Sequence, residues 1–430
     1  MERELRSRGI IRIPGTLELL IIFLEYAWAL VVVLNGNSVY NASAIKDHHL
    51  IELCFLLTLA LLLVNWFSGR IRLVTRDAIV AVAMVLYSVV YISARHAVMS
   101  VMDYAMLFTF CLPTVYLLFT GLQKQGILMD LIHKIVDVVV VLALISLFYW
   151  VFGVIMGLIR PNMVTYINWG YSRCIIGYDG LHFQTQLDTT FMREAFLYRN
   201  SGIFAEAPMF NLWLDIALAI ELFLHHKPSR AKVVVLAVTV ITTISVTGVL
   251  FLALCVVLWM SQSYRRQSVT YKRLIVAGVI LVVIPVVVLM VVYSLLMKSE
   301  TRSYDMRLSD YMAGLQLWWD HPIFGGGYAN LRALAQYNDT SNGVVGFSNS
   351  IAAVLGTGGL WMSIVFCVPL FGTLSKRWTR SGRVSCCGTC FLLLFCTTAF
   401  SARFIAVLMI ALELTFLQYP QGRDAGEGRI

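Results

Sequence analysis

Charge is what this chain has least of. Charged side chains make up 13% of its 430 residues against 59% hydrophobic, and mean hydropathy is +0.78. So little charge cannot cover the surface of a water-soluble protein of this length, which leaves a polytopic membrane protein. The signatures of several common chemistries are missing too. There is no GxxxxGK[ST] phosphate loop and no HExxH zinc helix, and no Gly-x-Ser-x-Gly elbow. Carboxylates expected in the outer loops (Asp179, Asp188, Asp305, Asp310, Asp320, Asp339) include no DxD pair, so no divalent-metal cage is expected there. The reading is therefore a metal-independent chemistry with no cofactor. Of nine cysteines, only Cys174 falls in an outer loop, which excludes an intramolecular disulfide framework on that side. Cys386, Cys387 and Cys390 lack a second pair of zinc ligands and read as core. The net charge of +9 does not indicate nucleic acid. Its cations lie between apolar runs, where they report orientation and contact with anionic lipid.

What is present is a series of apolar runs, at 17–34, 50–67, 78–94, 104–120, 135–158, 208–224, 231–260, 274–297, 350–375, 386–400 and 404–418. The run at 231–260 is too long for one span and short for two. Its flanks, HHKPSRAK and YRRQSVTYKR, are both basic and so belong on the same, cytoplasmic side. The chain must cross and return within it, turning near Ser245-Val246-Thr247-Gly248. The expected fold is all-α and integral to the membrane, with about twelve spans and two long periplasmic loops containing short helices. In this division residues 1–158 carry spans one to five and 159–207 the first long loop. Residues 208–297 carry spans six to nine, 298–349 the second loop, 350–418 the last three spans and 419–430 a cytoplasmic tail. On this topology 22 of the 33 Lys and Arg fall on the cytoplasmic side. Both termini are expected there. The basic start MERELRSRGIIR leads into an uncleaved first helix, because no small-residue cleavage site follows it.

Function is expected in the long loops, since connectors of some fifty residues exceed what helix pairing needs. The first holds Arg160, Arg173, Arg193 and Arg199 and ends YRNSGIFAEAPMFNLWLD. Glu206 there precedes Pro208 at a helix start, where helix-dipole capping and a role in a shared cavity both explain it. Asp215, two turns further on, is costly in a membrane unless it faces protein or water. It orients a loop arginine or satisfies a helix contact. Glu25, Asp137, Glu221 and Glu413 read first as polar packing. Asn211 and Asn349 read as interhelical hydrogen-bond partners before site residues. Trp169, Tyr171, Trp318 and Trp319 read as an interfacial belt before sugar-stacking platforms. The second loop carries Arg302, Arg307 and Arg332, an amphipathic helix ending before Pro322, and Gly325-Gly326-Gly327, a turn that side chains would obstruct. Arginines beside a membrane suit an anionic lipid-linked substrate, because guanidinium binds phosphate oxygens bidentately and stabilises a departing diphosphate without metal.

Three stretches carry a resemblance. RNSGIFAEAP (199–208) resembles a pattern of Arg, Gly-x-Phe, then Glu-Pro opening a helix. RLSDYMAGLQLWWDHPIFGGGYANL (307–331) resembles Arg, an aromatic four residues on, then Pro-Leu-Phe-Gly-x-Gly. FSNSIAAVLGTGGLWMSIVF (347–366) resembles His-Asn-x-x-Leu followed by Gly-x-Gly. Together they are similar to the O-antigen polymerase and O-antigen ligase superfamily of bacterial envelope glycosyltransferases. The resemblance implies a GT-C type membrane fold acting at the periplasmic face of the inner membrane. It implies donor and acceptor glycans linked to undecaprenyl diphosphate, and a chain-length regulator as partner. Arg199 and Arg307 are the implied catalytic arginines, with Arg302 and Arg193 as their substrate-binding neighbours. Glu206 is the expected general base, with Asp305 behind it, and Asp215, Asn349 and Tyr311 are the further expected substrate contacts. Ser348 stands where ligases carry His, which points to polymerase. A lipid-linked oligosaccharide flippase would carry paired half-repeats and deep charges, and neither is present. A non-catalytic scaffold would tolerate loss of Arg199 and Arg307.

Overall fold

The computed structural model describes residues 15–43, 49–94, 101–169, 171–185, 198–264, 302–337 and 348–420. Among these, seven helices are long and apolar enough to cross a membrane. They are α1 (Gly15–Asn35), α2 (Leu50–Phe67), α3 (Thr75–Ala94), α4 (Val101–Gln125), α5 (Leu128–Ile155), α6 (Ala207–Leu224) and α11 (Ser350–Leu374). Shorter helices are α7 (Arg230–Thr242), α8 (Val246–Tyr264), α9 (Arg302–Asp320), α10 (Leu331–Ala335), α12 (Gly382–Thr397) and α13 (Phe404–Gln418). The 231–260 run does divide in two. It breaks at Thr243–Ser245, slightly before the expected Ser245–Gly248, with Ile244 at φ 50°. The expected run at 274–297 lies outside the described residues.

Helix α6 is the axis of the bundle. Every residue from Met209 to Ala219 is buried, as a helix that is apolar all round must be. It packs on α5, α7, α8 and α12. Helix α3 is the opposite case, with Ile79, Val82 and Leu86 exposed, an apolar outer surface that only lipid or protein can cover. Helix α13 bridges the two halves, packing on both α4 and α11.

The first long loop holds an element that was not expected. Its described residues form an antiparallel sheet of β1 (Met163–Trp169), β2 (Tyr171–Tyr178) and β3 (His182–Gln184). The register pairs Met163 with Gly177 and Ile176 with Gln184. Alternation decides its faces. Val164 and Tyr166 point out, whereas Ile167, Ile175 and Phe183 are buried in a small core with Val39, Ala42 and Ala205. The second loop does contain helices, α9 and α10.

One face of the bundle, called the loop face below, gathers the sheet, the end of α1, and the starts of α6, α11 and α13. The Phe404 amide donates to Asn35 Oδ1 at 3.1 Å, and the Ala205 amide to the Asn37 carbonyl at 3.0 Å. The Ser350 amide donates to the Thr398 carbonyl at 3.1 Å, and the Phe400 amide to Ser350 Oγ at 2.8 Å. The opposite face is closed by polar clusters. Asp77 accepts from Tyr419 Oη at 2.7 Å and pairs with Lys124. Asp137 accepts from Lys232 at 2.5 Å and from Tyr26 at 3.1 Å. Glu25 pairs with Arg70 at 3.2 Å.

Candidate functional site at the loop face

Glu206 is the residue from which α6 starts, with extended backbone (φ −149°, ψ 151°) and Pro208 in the first turn. Its side chain makes no capping hydrogen bond. The carboxylate lies 3.6 Å from Arg173 Nη2, which also donates to the Ala205 carbonyl at 3.0 Å. Arg173 projects from β2, so the sheet positions a guanidinium against the α6 start. Sequence reasoning counted this arginine without assigning it a role. The β-branched and aromatic residues gathered in MVTYINW and YSRCIIGY were the signal for the sheet that carries it.

Arg199 Nε donates to the Thr243 carbonyl at 2.8 Å, in the turn between α7 and α8. Asn200 extends that seam. Its amide donates to the Thr242 carbonyl at 3.0 Å, and its Oδ1 accepts from the Gly202 amide at 3.1 Å and from Ser146. The short helix pair thus carries a turn on which the Arg199 segment rests. Among the described residues, Asp215 is paired with a neighbour on its own helix and not with a loop arginine. It is fully buried and accepts from Asn211 Nδ2 at 2.6 Å, one turn back on α6.

The second loop is built into a break in α11. Gly359 sits at φ 58°, ψ −158° within that helix, a backbone region nearly closed to other residues. The turn 322–327 fills the break. Gly326 and Gly327 amides donate to the Gly356 and Thr357 carbonyls at 2.8 and 3.0 Å. In return, Leu360 and Trp361 amides donate to the Pro322 and Ile323 carbonyls, each at 2.9 Å. The broken ladder is therefore made good by another segment, the condition for irregular backbone at membrane depth. A Cβ on Gly325 would lie 2.4 Å from the Thr357 carbonyl carbon, and one on Gly359 2.5 Å from the Gly325 nitrogen. Helix α3 clamps the junction: Tyr91 Oη donates to the Thr357 carbonyl at 2.9 Å and Tyr87 Oη to the Trp361 carbonyl at 2.8 Å.

Arg302, Asp305 and Arg307 lie in the first part of α9, and Arg193 lies outside the described residues. Tyr311 Oη donates to the Cys396 carbonyl at 2.5 Å, which ties α9 to the end of α12. Asp310 accepts the Ser348 amide at 2.9 Å, fixing the entry to α11. Asn349 is a helix cap, accepting from the Ala352 amide at 2.8 Å. Trp319 is exposed and Trp318 half-buried.

A further arginine comes to this face unannounced by any motif. Arg403 precedes α13, half-buried beside Tyr328 and Asp103. Burial pulls it below the usual arginine range while Tyr328 and Asp103 oppose the shift, and guanidinium keeps its charge at neutral pH. Burial likewise raises the Tyr328 phenol. Its only signal in the sequence was being the one cation between the last two apolar runs.

The model of the O-antigen ligase family matches residues 231–367. That match covers about a third of the chain and supports the resemblance to the O-antigen ligase and polymerase superfamily. No curated protein matches the chain. The matched segment runs from α7 through α9 into α11, so it includes Arg307 and the Gly359 break. Arg199 and Glu206 lie ahead of it. Members of that family are glycosyltransferase-like enzymes that act on lipid-linked glycans. On this face three helices (α6, α11, α13) present their starts, where backbone amides and the dipole favour anions. Arginines 173, 199 and 403 stand around them.

Proposed function

We propose that the protein is a repeat-unit polymerase of surface polysaccharide. It would join oligosaccharides linked to undecaprenyl diphosphate at the periplasmic face of the inner membrane. The supporting observation is the convergence of three helix starts and several arginines at one end of a membrane bundle, an arrangement suited to a lipid diphosphate. The topology proposed with it has about twelve spans, both termini in the cytoplasm and the loop face in the periplasm. The acceptor sugar hydroxyl attacks the donor anomeric carbon, and the bond from that carbon to the diphosphate oxygen breaks. The leaving lipid diphosphate keeps the electron pair, and the hydroxyl proton passes to the Glu206 carboxylate. Arg199 and Arg307 bind the diphosphate and neutralise its growing charge. Arg302, Arg193, Tyr311, Asn349 and Asp215 serve positioning, with Asp305 supporting the base. Holding both lipids in one orientation supplies much of the acceleration. The reaction needs no added divalent cation. A chain-length regulator is the proposed partner.

The matched family's description names ligase, which keeps transfer of the glycan to lipid A-core as the second reading. Ser348, where ligases carry His, supports polymerase. The deciding assay uses a purified lipid-diphosphate repeat unit in detergent, with and without lipid A-core. A glycan ladder from the repeat unit alone, lost in Arg307→Ala and in Glu206→Gln, is the expected result. Transfer only when lipid A-core is present would replace polymerase with ligase. No product from either substrate, with folded protein, removes both.

A further inference from the structure

Two imidazoles and a carboxylate meet at the face opposite the sheet, where the proposed reaction has no use for them. Glu221 lies in the π-helical last turn of α6 and is fully buried. That wider turn is closed by the His225 amide donating to the Ile220 carbonyl at 3.2 Å, and such turns recur at functional sites. It sets His225 Nδ1 3.2 Å from both Glu221 oxygens. His133, from the second turn of α5, brings its ring centroid to 4.1 Å from that of His225. One ligand atom from each of His133, Glu221 and His225 lies within 4.8 Å of the other two.

A purely structural role explains part of this cluster. Glu221 Oε1 accepts the Ser229 amide at 2.6 Å, just ahead of α7, and His225 Nδ1–H satisfies the rest of the carboxylate. It leaves His133 unexplained, because Nε2 of that ring is buried with no hydrogen-bond partner. Buried polar atoms are normally paired, so an unpartnered ring nitrogen at a carboxylate and a second imidazole points to a missing ligand. The Ser229 contact then acts as the outer partner that orients a ligating carboxylate.

We propose that His133, Glu221 and His225 bind one divalent transition-metal ion of the Zn²⁺ class. The ion ties the start of α5 to the end of α6 and the start of α7. Two imidazoles and one carboxylate suit Zn²⁺ and also accept Co²⁺ or Cu²⁺, whereas Mg²⁺ and Ca²⁺ call for oxygen-rich shells. Three protein ligands leave a position for water. Ligands about 2.1 Å from a metal in tetrahedral geometry stand roughly 3.4 Å apart, so binding draws the more distant ligand atoms inward by up to about 1.4 Å. The ion takes the place of the proton between His225 Nδ1 and Glu221, and that proton moves to Nε2 of the same neutral ring. Lys232, the nearby cation, has its charge balanced by Asp137 at 2.5 Å. Helix α6 has 18 residues, so its ends stand roughly 27 Å apart. The ion therefore sits a membrane thickness from Glu206, and its role is cross-linking and not chemistry.

The test uses the full chain in detergent, purified on a tag without histidine and stripped with chelator. Co²⁺ titration is expected to give a visible absorption band saturating at one equivalent and abolished by Zn²⁺. His133→Gln and His225→Gln should each weaken Zn²⁺ binding by about 100-fold or more, beyond the loss typical of an outer-shell partner. His226→Gln, one residue away, should bind normally. Zn²⁺ should raise the melting temperature of the wild type and not of the double variant. Absence of a Co²⁺ band in folded wild type overturns the proposal whatever the polymer assay shows, and so does unchanged binding in the double variant. If the variants fail to fold, Cu²⁺ bound to wild type must show hyperfine coupling to two imidazole nitrogens; fewer overturns it.

Discussion

At the scale of single residues, placement and not identity decides which polar groups do chemistry. Glu206 and Asn349 both precede a helix, yet Asn349 caps its amides and Glu206 faces Arg173. Removing Arg173 should therefore leave Glu206 badly placed. We expect Arg173→Ala to lower the polymerisation rate about tenfold, roughly 1.4 kcal/mol, with little change in KM. An unchanged kcat with intact fold would release Arg173 from the site. His182 gives a pH prediction. It is buried in β3 with Nδ1 unpartnered, and burial holds its pKa at about 4, down from 6.5. Between those values the unfolded sheet binds the extra proton, so stability falls as pH drops from 6.5 towards 4. The loss approaches about 3 kcal/mol. Amide protection factors in the three strands, corrected for the intrinsic pH dependence of exchange, should fall over that window, and His182→Gln should flatten the dependence.

At the scale of elements, the broken helix α11 matters most. Its glycines are required twice, by a backbone conformation closed to other residues and by contact with the inserted turn. Gly359→Ala should cost about 1–3 kcal/mol for the φ/ψ change alone, with the overlap against Gly325 adding to it. The measurement is folded yield and melting temperature in detergent. A variant as stable as wild type would show that the turn does not seat in the break. Asp310→Ala should loosen the entry to α11 by about 1.5–3 kcal/mol, the worth of a hydrogen bond to a charged group. Faster exchange of the Ser348 amide would show it.

At the scale of the whole molecule, orientation is the open quantity with a direct test. Cys174 lies exposed on β2 at the loop face. A membrane-impermeant maleimide should label it in intact spheroplasts, and Cys174→Ser should abolish that labelling. Labelling only after permeabilisation would invert the proposed topology. The same sheet-bearing face holds the proposed chemistry, while the opposite face holds the ion pairs of Asp77, Asp137 and Glu25 and the His133 cluster. The bundle thus separates reaction from tethering by the length of α6.

The membrane class and several of the helices were legible in the sequence, as was the resemblance that the family match supports. Bilayer thickness imposes a length on apolar runs, so 50–67 and 404–418 emerged with the boundaries the helices have. The split of 231–260 followed from charge, since two basic flanks cannot lie on opposite sides. Three things were settled only by tertiary structure. The sheet escaped notice because short strands with one buried face carry a weaker signal than a span. The insertion of 322–327 into α11 depends on hydrogen bonds between Gly326 and Gly356, partners distant in the chain. Arg403 carries no local pattern, and of the trio only Glu221 and His225 do, four residues apart at the end of α6. His133 joins them only because α5 packs beside α6, and packing is not written in the spacing of residues along any one helix.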